Sequence, residues 1–198
     1  MTVTTVDDFA LGTDPLVDVP VRDLDADGHT LIDVVTFPSA IAKVKYLAAL
    51  AATGARRADA FGVARIAREL GTVEKCHAWV RDRVQYEREP EEKLESAAYI
   101  AHALAGDCDG QGVCLGSMVI AIGMTIALVP MGGTPDDPSH LATAVAPLGA
   151  RAIVAAWQPF GLEAPPGWTW TETTIAARFG EVPSRAQERL GVGREDLR

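Results

Sequence analysis

The run Gly106–Gly123, GDCDGQGVCLGSMVIAIG, constrains the fold of this chain more than any other stretch. It sets a cysteine directly behind a Gly-Asp pair and continues into an apolar segment long enough for a helix. Val113, Leu115, Met118, Val119, Ile120 and Ile122 supply the apolar positions, and Gly123 is a C-terminal stop. Asp107 is a good N-cap, which sets Cys108 in the first turn. There the unpaired N–H groups and the positive end of the helix dipole favour a thiolate over a thiol. A free thiol titrates near ~8.5, and this is one of the few positions that lower that value. Cys108 is therefore the candidate nucleophile. Asp107 and Asp109, on either side of it, favour the helix but oppose the thiolate, so their first reading is structural.

A cysteine nucleophile needs an imidazole within hydrogen-bond reach, to hold the thiolate and to protonate the leaving group. His140 is the candidate. It opens the strand-like run His140–Ala146 (HLATAVA) after the turn-rich Gly132–Ser139 (GGTPDDPS), a place at the rim of a cleft. The N–H of Cys108 at the helix start is a ready donor for an oxyanion. The other histidines read otherwise. His29 is an exposed loop residue, and His102 packs or caps the end of the segment before Gly106. Cys76 and His77 are adjacent, so on a helix they point about 100° apart and form no pair. Cys76 reads as a small buried hydrophobe, and Cys114, six residues past Cys108 on a different face, reads as core.

Before Gly106 the pattern is helical: Ala40–Ala52 capped by Ser39 and ended at Gly54, then Ala58–Leu70, then Val73–Val84 capped by Thr72. Tyr86–Glu92 is a charged surface connection, and Glu91–Ala103 a weaker helix. After Gly123 the period changes. Met124–Met131, His140–Ala146 and Arg151–Trp157 read as three antiparallel strands. Residues 1–37 are acidic, with short strands at Leu16–Val21 and Leu31–Thr36 and a solvated turn, not a calcium loop, at Asp23–Gly28. From Gln158 the chain carries PFG and APPG breakers, the aromatic pair Trp168 and Trp170, and a polar, helix-compatible tail.

A net charge of −9 over 198 residues argues against general binding to nucleic acid or an anionic membrane surface. No window approaches ~18 consecutive apolar residues, so no membrane span is expected. The opening, MTVTTVDDFALGTD, lacks the basic-then-apolar layout of a signal peptide. Three cysteines with no CxxC pair fit a reducing, cytoplasmic setting. No His/Cys/Asp cluster has ligand spacing, so neither a metal nor another cofactor is expected.

Val80–Tyr86 (VRDRVQY), the acidic linker, Leu94-Glu95-Ser96, the GDCD helix with the strand after it, and His140 together resemble the transglutaminase-like branch of the papain-like cysteine superfamily. The similarity covers roughly residues 75–166 and is closest to small bacterial and prophage-associated members. The resemblance implies an α+β fold, papain-like with transglutaminase-type order: N-terminal helices, then a nucleophile helix packed on a C-terminal antiparallel sheet. It divides the chain into an N-terminal extension (1–37), a transglutaminase-like domain (38–166) and a C-terminal tail (167–198). It further implies a Cys–His–Asp triad and acyl transfer on a peptide or protein amide, by hydrolysis or by transfer to an amine, with Cys108 as nucleophile and His140 as base. The family's aspartate ends the strand after the His strand. Here that register falls on Ala156, with no Asp or Glu between Asp137 and Glu163. Gln158 is the nearest side chain able to accept from a histidine N–H, as an amide does in papain-like sites. The missing acid supports a rival expectation: a catalytically silent member serving as a structural or assembly component, with a protein assembly partner, in a phage-derived particle.

Overall fold

The computed structural model describes residues 3–5, 18–88, 92–135 and 138–191. A strand β1 (Val3–Thr5) and a hairpin of β2 (Asp18–Leu24) and β3 (Thr30–Thr36) precede three helices, α1 (Ala40–Arg56), α2 (Val63–Leu70) and α3 (Val73–Arg83). Short strands then alternate with helices: β4 (Gln85–Tyr86), β5 (Leu94–Glu95), α4 (Ala97–Ala103), β6 (Ala105–Gly106) and α5 (Cys108–Ala121). The remainder is β7 (Thr125–Met131), β8 (His140–Ala146), β9 (Ala152–Ala155), β10 (Thr169–Trp170) and α6 (Pro183–Leu190). The class is mixed α+β.

Side-chain caps set the helix starts. Ser39, Thr72, Ser96 and Asp107 each accept from a backbone N–H in the first turn of α1, α3, α4 and α5. Helix α1 runs on through Gly54 to Arg56, past the stop expected there. Gly54 lies against Ser117 of α5, where a Cβ would collide, so its role is a close helix approach and not a chain stop. The helix expected from Ala58 begins only at Val63, because residues 57–62 are held as a turn. Arg57 pairs with Asp23 and Asp59 and donates to the carbonyls of Leu24 and Asp25, while Asp59 accepts from the Phe61 N–H at 2.9 Å. The helix expected from Glu91 starts at Ala97. Leu94 and Glu95 instead pair in parallel with Val21 and Arg22 of β2, and residues 89–91 lie outside those described.

The main sheet has five strands in the order β1-β9-β7-β8-β10. Strands β7 and β8 are antiparallel, from Thr125↔Ala146 to Met131↔His140. The expected all-antiparallel arrangement needs correction at β9, which pairs in parallel with β7 on the side away from β8. The five-residue connection 147–151 spans up to ~17 Å when extended, enough to step across one strand at ~4.8 Å per spacing. The Thr125 hydroxyl donates to the Gly149 carbonyl as the connection passes. Segments on both sides of 38–166 join these sheets: β1 and β10 are the edge strands, and β2 and β3 form a three-stranded sheet with β5.

Both faces of the five-stranded sheet are covered. Ile126, Leu128, Leu141 and Val154 meet α5 and the helices around it, while Ala127, Val129, Ala144 and Ile153 face Trp170 and Val182. Alternation along each strand therefore gives two apolar faces, and β7, β8 and β9 are buried throughout. Helix α5 is surrounded. Gly116 is tight against Ala51 of α1 and Gly112 against Leu141 of β8, so its glycines admit neighbouring side chains. The result fixes the first turn of α5 against the start of β8.

Candidate active site

Three short pairings bring the site together. Strand β4 pairs in parallel with β6, Tyr86 opposite Gly106, which carries Tyr86 beside the start of α5. Asp107 then caps α5, its Oδ1 accepting from the N–H groups of Asp109 and Gly110 at 2.9 Å each. His140 opens β8 opposite Met131. Cys108, His140, Tyr86, Lys43 and Ser139 line one cleft of about 380 Å³, so the two residues expected to meet share a single site.

Glu172 was not foreseen. The His140 imidazole lies with Nε2 at 2.7 Å from Glu172 Oε2, and both side chains are only 1% exposed. The other carboxylate oxygen accepts from the N–H and the hydroxyl of Thr174, each at 2.7 Å. Burial disfavours the charged carboxylate, but the bond and charge of His140 and the two Thr174 bonds outweigh it, holding the Glu172 carboxyl below its usual range. An ionised carboxylate only accepts, so Nε2 of His140 carries a hydrogen, and in the neutral ring the lone pair falls on Nδ1. That Nδ1 is buried and has no hydrogen-bond partner. Phe160 stacks at a tilt on the ring, centroids 6.2 Å apart.

Gln158 stands elsewhere. Its N–H donates to the Pro130 carbonyl at 3.0 Å and its carbonyl accepts from Gly132 at 3.3 Å, in a bridge to Met131. Met131 pairs with His140 on its other side, so β7 separates Gln158 from His140 by about two strand spacings, ~9.6 Å. Ala156, just past β9, is on that same side. The family register assumes that the next strand in sequence is the next strand in the sheet, and here it is not. On its other edge β8 pairs with β10, and one further bond, Thr171 N–H to the Thr143 carbonyl at 2.9 Å, carries the chain to Glu172. The run Trp168-Thr169-Trp170-Thr171-Glu172 was the available signal: aromatics alternating with threonine and ending in an acid, inside what reads as a tail.

The electrostatics around Cys108 reverse the expectation of a helix-start thiolate. Burial, Asp109 and Asp107 push the Cys108 thiol well above its ordinary range, against a backbone N–H from Leu141 and the charge of Lys43. The sulfur lies 3.7 Å from Asp109 Oδ1, to which the thiol donates. Asp109 in turn pairs with Lys43 at 2.5 Å, and Lys43 with Glu92 at 2.6 Å. Burial and the Asp109 charge also raise the Asp107 carboxyl. The Tyr86 phenol is pushed up to about 12 by burial and by Cys108 and Asp107.

Carboxylates of Glu92, Asp107 and Asp109 lie within 4.8 Å of one another, but the Lys43 ammonium already supplies positive charge to two of them. Asp25, Asp27 and His29 form a second such group at the exposed β2–β3 turn, with His29 Nδ1 bonded to Asp25 at 3.0 Å. His102, at the exposed end of α4, meets the Phe61 ring edge-on at 5.7 Å. Cys76 and Cys114 are buried free thiols in the main core. His77 is buried and places Nε2 at 2.7 Å from the backbone carbonyl oxygen of Glu172. Among the described residues, no helix is long and apolar enough to cross a membrane. No protein-family model, curated protein or solved structure matches the chain.

Proposed function

We propose that this chain is a cysteine-dependent acyl-transfer enzyme of the papain-like, transglutaminase-like kind, acting on a peptide or protein amide. The observation that carries the reading is the buried His140–Glu172 bond at 2.7 Å, which engages Nε2 and leaves Nδ1 without a partner on a histidine that shares a cleft with Cys108. A histidine oriented by an acid and sharing a cleft with a thiol at a helix start supports nucleophilic acyl transfer, with the thiol turning from Asp109 to Nδ1 when substrate is bound. Glu172 fills the place of the acid, and no cofactor is called for.

Burial, Asp109 and Asp107 raise the Cys108 thiol well above its ordinary range, which favours loss of its proton during attack. As Cys108 Sγ adds to the amide carbonyl carbon, its proton passes to Nδ1 of His140, and Glu172 stabilises the imidazolium that forms. The Cys108 N–H at the first turn of α5 helps bind the oxyanion. Collapse of the intermediate breaks the C–N bond, the imidazolium protonates the departing amine, and a thioester remains on Cys108. Water or a second amine then attacks that thioester as His140 takes its proton, the C–S bond breaks to release the acid or the new amide, and the imidazolium returns the proton to Cys108 Sγ.

A second reading has its own observation. The raised thiol of Cys108, bonded to Asp109, fits a catalytically silent relative that uses this fold as an assembly component. Turnover of peptide-amide substrates separates the two. In the enzyme, Cys108→Ala abolishes product formation, Glu172→Gln lowers kcat by at least about tenfold through loss of a charge-assisted bond, and Gln158→Ala leaves kcat unchanged. If purified protein turns over no amide substrate and Cys108→Ala leaves partner binding intact, the assembly reading holds.

A further inference from the structure

We propose that His77 is a positioning residue, which holds the backbone of Glu172 so that its carboxylate stays in line with His140. The proposal rests on the reading of Cys108, His140 and Glu172 given above.

Glu172 does not sit in a regular element. Between β10 and α6 the residues 171–182 form neither helix nor strand, so no ladder dictates where the acid points. Side chains anchor this segment instead. On the β8 side, the Thr143 hydroxyl donates to the Thr171 carbonyl at 2.8 Å, beside the Thr171 N–H bond to β8. On the α3 side, His77 reaches across 95 residues of sequence to the Glu172 carbonyl at 2.7 Å. A carbonyl oxygen only accepts, so Nε2 of His77 carries the hydrogen. One turn along α3, Arg81 donates to the Ala177 carbonyl at 3.2 Å, and Phe179 meets the His77 ring edge-on at 5.8 Å. Helix α3 therefore grips 172–179 by two bonds to carbonyls and one ring contact, and His77 alone of these acts on the residue that bears the acid.

The choice of histidine is informative. His77 is 1% exposed, and burial pushes its pKa below the ordinary histidine range, holding the ring neutral. A phenylalanine would fill a similar volume without desolvating a polar ring. What the imidazole adds is one N–H directed at the Glu172 carbonyl. Because Glu172 Oε2 bonds His140 at 2.7 Å, a small rotation of the Glu172 backbone would lengthen that bond and leave the imidazolium less supported.

The test is the pH dependence of Cys108 alkylation, read site by site by mass spectrometry, in the wild type, His140→Ala, His77→Phe and His77→Gln. Glutamine sets an amide N–H near the position of Nε2. The expected result is a roughly tenfold slower reaction at neutral pH in His77→Phe, substantial recovery in His77→Gln, and one common rate at high pH, where the thiolate forms without a base. A merely structural role would not restore the profile with glutamine. A His77→Phe profile matching the wild type overturns the proposal while leaving the functional reading intact. A wild type indifferent to His140→Ala overturns that reading and this proposal with it. Should His77→Phe fail to fold, the imidazole nitrogen shifts of the wild type decide. A neutral Nε2–H tautomer from pH 5 to 8 supports the bond, and an Nδ1–H tautomer or an ordinary titration overturns it.

Discussion

Two opposed influences act on the sulfur of Cys108. The first turn of α5 contributes the positive end of a dipole, equivalent to about half an elementary charge spread over its N–H groups. Burial penalises the thiolate, and Asp109 and Asp107 add carboxylates immediately on either side, so the thiol is held well above its ordinary range. Asp109 is the nearer influence, as the acceptor of the thiol hydrogen at 3.7 Å. Asp109→Asn should therefore lower the Cys108 midpoint, read by alkylation against pH, while Lys43 keeps its pairing with Glu92. An unchanged or higher midpoint would show that Asp109 does not contribute and that burial and Asp107 set the value. Much of this was legible at single residues: Cys108 and His140 each open an element, and the flanking acids stand in the sequence. Glu172 and His77 were not. The partner of Glu172 is set by a strand order that departs from chain order, and His77 bonds a backbone carbonyl, which no side-chain pattern reports.

At the scale of elements, the first turn of α5 depends on its cap. Asp107 Oδ1 accepts from two backbone N–H groups, yet burial and the Asp109 charge raise the Asp107 carboxyl. These two roles separate by substitution. Asp107→Ala removes the cap and should cost about 1 kcal/mol. Asp107→Asn keeps an accepting oxygen and removes the charge. Because the raised value lets the folded chain keep a proton the unfolded chain has released, this group's contribution to stability is largest at low pH. It declines as pH rises above the ordinary aspartate value of about 3.9. Urea unfolding should then show Asp107→Asn gaining on the wild type as pH rises from 5 to 8, and a constant difference would contradict the assignment. The helices themselves were legible from caps and period. Their boundaries slipped where tertiary contacts took over: Gly54 serves the α1–α5 crossing, and the Arg57–Asp59 turn displaces the start of α2.

Across the whole molecule, the five-stranded sheet is covered on both faces, helices on one and the Trp170 segment on the other. That second cover explains why the C-terminal part is not a simple appendage: β10 closes the β8 edge and delivers Glu172 to His140. The α+β class and the order of helices before sheet could be read from periodicity. The parallel β9 could not, because a five-residue connection is compatible with a hairpin or with a step over β7. The central claim is that His140, oriented by Glu172, is the base for Cys108. Its most direct measurement is the rate of Cys108 alkylation between pH 6 and 8 in the wild type, His140→Ala and Glu172→Gln. Cys108 is expected to outpace Cys76 and Cys114, and both variants to slow it by roughly tenfold at neutral pH, converging with the wild type once the thiolate forms unaided. Superimposable profiles in all three proteins would contradict it.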